Sequence, residues 1–359
     1  MRPSNAHRWM TCGGSVALCA ASPNYHDTLE DTAKEEGIAA HWVFEQLMRG
    51  YKVSVGQMSP NHVIVDEEML DAAKELQSLV PQHASVEQRV DLSPLGMTKE
   101  GKRDVSWHAD GVAHILDYKY GHRSVDEFEN WQLLCYGCDI DFTALGVTEI
   151  HFHIYQPRCY AADAHRVWKV SVEQYLTHYL LRIEQQVAAI NAGNGAFIPT
   201  QEGCYNCPAA ASCMALAKIG YAGMDYVAQN ASPAIMNNVS LARELDALDR
   251  FGGLLKARLV ALEEQANHII RQGGRVPGWE RVQGTGRLAW TVPVDTAIQT
   301  ALAFGVDVQA EKAAITPTQA IAKGMPESVV NSLAARPAGK VKLTRVDNKL
   351  ARKVFSHGK

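Results

Sequence analysis

The chain has 359 residues, with 35 Lys+Arg against 39 Asp+Glu, for a formal net charge of −4. Hydrophobic residues at 47% and charged residues at 21% exclude a disordered chain, and no apolar run approaches the ~18 residues of a membrane span. Eight cysteines spread along so long a chain argue against a secreted disulfide scaffold. Where they bunch, metal or cluster ligation is the better use.

Ser15–Ala21 (SVALCAA) has the outline of a short secretory core. It opens on Gly13-Gly14 and barely reaches the lower length limit, so it reads as the start of a helix in a cytoplasmic protein. Residues 28–50 carry a helical pattern through Ile38, Trp42, Phe44 and Leu47 and close at Gly50. Asp66–Leu79 is a second amphipathic helix. The period then changes to that of strands, over Val86–Leu92, Arg103–Trp107 and Val112–Lys119. Glu127–Phe142 reads as helix, Thr148–Tyr155 and Val167–Val172 as strands, and Glu173–Ala192 as a long helix. The expected fold class is mixed α/β (α+β) with a hairpin in its sheet.

That hairpin is the most informative stretch. Asp110-Gly111 is a pair favoured in two-residue type I′ turns. With those two as the loop, Ala109 pairs with Val112, and Asp104 falls opposite Asp117. Facing side chains have Cβ atoms about 4.5–5.5 Å apart, where like charges repel unless a cation sits between them. Carboxylates with water suit Mg²⁺ and Mn²⁺. Lys119, two residues after Asp117, projects from the same face. Two acids and a lysine on one spot suit phosphodiester hydrolysis. The alternative is an exposed hairpin with scattered charges, and a one-residue slip of register would separate the acids.

Farther on, Cys204-x2-Cys207-x5-Cys213 gathers three soft ligands on a Pro-interrupted segment, a density that selects zinc or an iron–sulfur cluster. A closed site needs a fourth ligand from elsewhere in the chain. Cys135-x2-Cys138 lies in a predicted helix and reads as packing. Ser240–Gln272 is a long charged helix, suited to packing on the core or to forming a homo-oligomer. Residues 336–359 hold eight basic residues and one acid, whereas residues 1–335 carry 27 bases and 38 acids. Such a tail suits a polyanion such as DNA, or is a solvated terminus.

Asp104, followed thirteen residues later by Asp117-Tyr118-Lys119, resembles the acid…(D/E)-x-K signature of the PD-(D/E)XK nucleases. Gln132-Leu133-Leu134-Cys135-Tyr136 resembles the Q-h-x-x-Y motif of their RecB-like branch, which includes CRISPR adaptation nucleases and many phage proteins. Glu36-Gly37-Ile38-Ala39-Ala40-His41 resembles its upstream motif. The likeness covers residues 1–220 and implies a restriction-endonuclease-like core with Asp104, Asp117, Lys119, Gln132 and Tyr136 at the active site. It implies metal ligands His41, Asp104, Asp117 and the Tyr118 carbonyl, with Glu36 and Glu87 as further acids nearby. The iron–sulfur members of that branch add one N-terminal cysteine to a C-x2-C-x5-C run. By that likeness Cys12, or alternatively Cys19, joins Cys204, Cys207 and Cys213 around a 4Fe-4S staple, with Zn²⁺ as the alternative occupant.

The resemblance therefore implies a phage-encoded Mg²⁺- or Mn²⁺-dependent DNA exonuclease acting in the bacterial cytoplasm. A phage single-strand annealing or replication protein would be its partner, with no membrane involved. Accessory residues 221–335, containing a small α+β region, and the basic tail 336–359 would follow the nuclease domain. The sequence departs from the family at Lys102-Arg103, two cations just ahead of the first acid, expected to contact DNA phosphate or to lie exposed at the sheet edge. The competing reading is a zinc-containing nucleic-acid-binding protein without catalysis.

Overall fold

A computed structural model describes residues 1–23, 32–98, 101–159, 162–228 and 237–281. Residues Met1–Trp279 form one compact unit. A second unit comprises Glu280–Lys359, nearly all of it, with the basic tail and the C-terminal α+β region, outside the described residues. Among the described residues no helix is long and apolar enough to cross a membrane.

The fold is mixed α and β. Two short N-terminal helices, α1 (Ala6–Thr11) and α2 (Ser15–Ala21), precede α3 (Thr32–Met48) and α4 (Glu67–Leu79). Asp66 caps α4, its carboxylate accepting from the Met69 amide at 2.7 Å. Met69, Leu70, Ala72, Ala73 and Leu76 form the buried stripe of that helix. Strands β1 (Ser85–Val90), β2 (Gly101–Ala109), β3 (Val112–Tyr118), β4 (Glu149–Tyr155) and β5 (His165–Ser171) lie side by side in that order. All neighbours are antiparallel except β3 and β4, which are parallel. A parallel pair needs a crossover, and it carries the short helix α5 (Trp131–Cys135).

The hairpin forms as its turn residues dictate. Asp110 and Gly111 both take left-handed φ, +50° and +76°, the backbone of a type I′ turn. Ala109 pairs with Val112, and the pairing runs to Val105 opposite Leu116. Asp104 follows next on β2, its Oδ2 accepting the Tyr118 amide of β3 at 2.8 Å.

Side-chain alternation gives the sheet two apolar faces. Ile115, Ile150, Phe152 and Trp168 pack with Trp9, Leu133, Leu134, Tyr175 and Ile183 on one side. Val105, Leu116, Tyr118 and Tyr155 pack with Ala40, Phe44, Met69 and Leu76 of α3 and α4 on the other. After β5 the chain continues as α6 (Val172–Gln174), a π-helical stretch at Tyr175–Leu180, and α7 (Leu181–Asn191).

The helix expected over Glu127–Phe142 is reduced to α5. Asn130 starts it by capping the Gln132 and Leu133 amides. Side chains reach the carbonyls at its end, alongside the Gly137 and Cys138 amides on Leu134 O and Cys135 O. Tyr175 Oη donates to Leu134 O at 2.9 Å, and Arg103 Nη1 donates to Tyr136 O at 2.8 Å. This corrects the expectation for Arg103, which is neither exposed nor free for DNA. It is 4% exposed and also pairs with Asp139 at 3.0 Å.

The cysteine segment holds α8 (Gln201–Tyr205) and leads into α9 (Met214–Ala228). The long helix α10 (Asn238–Arg271) packs on both, with Leu254, Ala257 and Ala261 buried against Cys204, Ala210 and Leu216. The turn between α1 and α2 meets residues 195–196 backbone to backbone, Gly14 N donating to Ala196 O at 3.0 Å. A Cβ on Gly195 would lie 2.5 Å from Gly13 C and 2.7 Å from Gly14 N, so only glycine allows the approach. Gly195→Ala is therefore expected to lower the melting temperature. Scanning fluorimetry checks this, and a variant with an unchanged melting temperature would show that the approach is dispensable.

Candidate metal centre and cysteine site

The open end of the β2–β3 hairpin gathers ionisable groups from several elements. Asp117 arrives on the central strand β3 and is 2% exposed. Its Oδ1 accepts from Gln132 Nε2 of α5 at 2.9 Å, and Lys119 Nζ lies 2.7 Å from its Oδ2. Lys119 Nζ also donates to Gln132 Oε1 at 3.2 Å. Gln132 thus bridges the acid and the lysine, and Tyr136 Oη lies 3.5 Å behind its Nε2. Asp104 on β2 accepts the Tyr118 amide through Oδ2 at 2.8 Å.

From α3, His41 Nε2 lies 2.8 Å from the Tyr118 carbonyl oxygen, while Nδ1 faces Glu87 Oε1 at 3.5 Å and Asp104 Oδ1 at 3.6 Å. Glu87 reaches inward because β1 is distorted there, its φ at +55°. A non-glycine residue in that region stores roughly 1–3 kcal/mol, a kind of strain that clusters at functional sites. Lys102 pairs with the second Glu87 oxygen from the solvent side.

The electrostatics follow from this crowding. Burial raises the Asp104 pKa to about 6, with Asp117 adding repulsion against the lowering effect of His41 and Lys119. Burial also works against charge on His41, but Asp104 and Glu87 outweigh it and lift its pKa to about 9. Burial likewise disfavours charge on Lys119, and Asp117 and Asp104 overcome it, so its pKa rises. Lys119 is therefore a fixed cation. On Glu87, the hydrogen bonds of His41 and Lys102 overcome burial and lower the pKa.

The donor set fits a hard or borderline divalent ion. Ligand atoms of His41, Glu87 and Asp104 all lie within 4.8 Å of one another, combining carboxylates with an imidazole. Asp117 lies outside that trio, its buried Oδ2 facing the Lys119 ammonium at 2.7 Å. Glu36 stands apart from this set, its carboxylate taken by Arg158 Nη1 at 2.5 Å. Arg158 also holds Glu68 at 3.0 Å and lies over the Tyr120 ring. This clamp carried no sequence signal.

The cysteines form a second site. Cys12, Cys204, Cys207 and Cys213 line one narrow cavity, together with Arg8 and Phe197. Cys19 Sγ lies 3.7 Å from Cys207 Sγ, so both N-terminal cysteines reach the cluster. The Cys19 contact raises the Cys207 pKa, with burial acting in the same direction, and burial leads the rise at Cys204. Buried thiols without a cation favour the protonated form, and a soft metal would reverse that preference. The set fits a thiolate-bound metal or cluster. Cys135 packs in the core, fully buried.

A family model described as "Protein of unknown function (DUF2800)" matches residues 1–350, and the chain belongs to that family. No solved structure matches it.

The charge crowding predicts a response to metal. At a hundred times its dissociation constant, Mn²⁺ should stabilise the protein by about 2.7 kcal/mol, read as a rise in melting temperature. Asp104→Asn should lose that rise yet be no less stable than wild type without metal, because it removes a buried charge beside Asp117. His41, with its pKa raised from 6.5 to about 9, contributes stability that is present below pH 6.5 and lost as pH rises to 9. The metal-free melting temperature should fall across that window, and fall less in Asp104→Asn. An Asp104→Asn variant still stabilised by Mn²⁺ would remove Asp104 from the ligand set.

Proposed function

We propose that this DUF2800 member is a metal-dependent deoxyribonuclease of the PD-(D/E)XK type, acting as an exonuclease with Mg²⁺ or Mn²⁺. The observation that carries the reading is the meeting of Asp104, Asp117 and Lys119 with Gln132 of α5 and His41 of α3, groups distant in sequence. The mixed sheet with helices on both faces supports a restriction-endonuclease-like core.

A bound divalent ion supplies Lewis acidity to the scissile phosphate and acidifies the attacking water. The protein's own groups do the rest. Lys119 stays protonated and stabilises the negative charge that builds on the phosphoryl oxygens as water attacks phosphorus. Gln132 is a positioning residue, holding Lys119 and Asp117 in fixed relation through one amide. Tyr136 backs that amide. Asp104 and Glu87 keep the His41 ring in place from one side, with the Tyr118 carbonyl on the other.

A 4Fe-4S staple at the cysteines is part of the same proposal. One observation favours zinc at that place instead, as in a non-catalytic nucleic-acid-binding protein. Two thiolates on one tetrahedral zinc stand about 3.8 Å apart for a Zn–S bond of ~2.3 Å, close to the 3.7 Å between Cys19 and Cys207. Anaerobic purification separates the two. Brown protein with stoichiometric iron supports the cluster, and colourless protein with one zinc supports the alternative. Cys207→Ser should lower the bound metal in either case.

Digestion of end-labelled linear and circular DNA with Mn²⁺ tests catalysis. Wild type should degrade the linear form, and Asp117→Ala and Lys119→Ala should each cut the rate by at least a hundredfold with circular dichroism unchanged. Full activity in either variant would refute the assignment.

A further inference from the structure

The β3–β5 part of the sheet carries histidines that the proposed hydrolysis does not use. His114 on β3 and His151 on β4 are register partners, and His153 follows His151 by two residues, so all three share a face. One ring nitrogen from each lies within 4.8 Å of the other two. His114 Nδ1 and His153 Nε2 are 3.0 Å apart. Two nitrogens on one tetrahedral zinc stand about 3.3 Å apart for Zn–N bonds of ~2.05 Å.

Each ring is held from outside the group. His153 Nδ1 is 2.9 Å from His165 Nε2 of β5, and His151 Nε2 pairs with Glu149 Oε1. The His114 ring stacks on Trp107 with centroids 4.4 Å apart and planes 4° from parallel. Partners on the far nitrogens of metal-bound histidines fix ring orientation and raise ligand basicity. Glu149 and the exposed Lys169, opposite His151, are the charged groups that face the cluster. His114 also borders an open cleft of about 330 Å³ between the β2–β3 hairpin and the Asp139–Leu145 segment.

We infer that His114, His151 and His153 form a second metal centre, selective for a borderline divalent ion such as Zn²⁺. It is distinct from the carboxylate-rich centre at the far end of β3. Three imidazoles select zinc, copper or nickel over Mg²⁺ and Mn²⁺. Such an ion would tie β3 to β4 across their parallel pairing.

The test is the metal content of the full-length protein after equilibrium dialysis against Zn²⁺. Wild type should hold one equivalent of zinc more than the double variant His114→Gln with His151→Gln. Asp104→Asn and Cys207→Ser should retain that equivalent. Glu149→Gln, which removes an outer partner, should weaken it about tenfold. Equal zinc in wild type and a folded double variant overturns the inference. Should the double variant not fold, Co²⁺ loading of a protein carrying both Asp104→Asn and Cys207→Ser gives the reading without it. Visible bands of nitrogen-ligated cobalt support the site, and their absence overturns it.

Discussion

Three carboxylates share the open end of one hairpin, and the structure around them is arranged to bear that charge. Asp117 enters on the central strand, Asp104 on its antiparallel neighbour and Glu87 on the next. Left alone, they would repel at distances where like charges destabilise a sheet. His41 and Lys119 supply the opposing charge from two directions. Both have their positive forms favoured despite burial, because the acids outweigh desolvation. The two partly buried cations hold the three acids together.

Much of the fold serves that arrangement. The Asp-Gly turn sets the hairpin register, which pairs Val105 with Leu116 next to the two acids. The parallel pairing of β3 with β4 requires a crossover, and the crossover brings α5, hence Gln132, over the strand end. Arg103, buried beneath, donates to the Tyr136 carbonyl just past α5. The sheet is thus the common support of the proposed catalytic groups at one end of β3 and of the histidine cluster nearer the turn.

The cysteine site bears a different load. It joins the N-terminal helices to the segment after α7, across most of the chain. The close approach of Gly13 and Gly195 brings these remote pieces together without side chains between them. The long helix α10 covers the assembly, and Arg258 Nη1 donates to the Ala210 carbonyl at 2.6 Å from that helix.

The sequence by itself determined the hairpin, its turn type and its register, because a two-residue turn and a period of two leave few alternatives. It also determined most strand and helix positions, and the soft character of the cysteine run. Only the tertiary structure decided which acids stand together. Glu36 and Glu87 had equal standing as outlying candidates. Glu87 turns inward through a left-handed backbone that its residue type does not signal, while Glu36 is taken by Arg158, far along the chain. Arg103 read as a DNA contact or an exposed edge cation, whereas the structure buries it against the Tyr136 carbonyl and Asp139. The alternation of His151 and His153 was visible in the strand, but the partnership with His114 depends on a parallel pairing, and that is a choice of topology, not of local pattern.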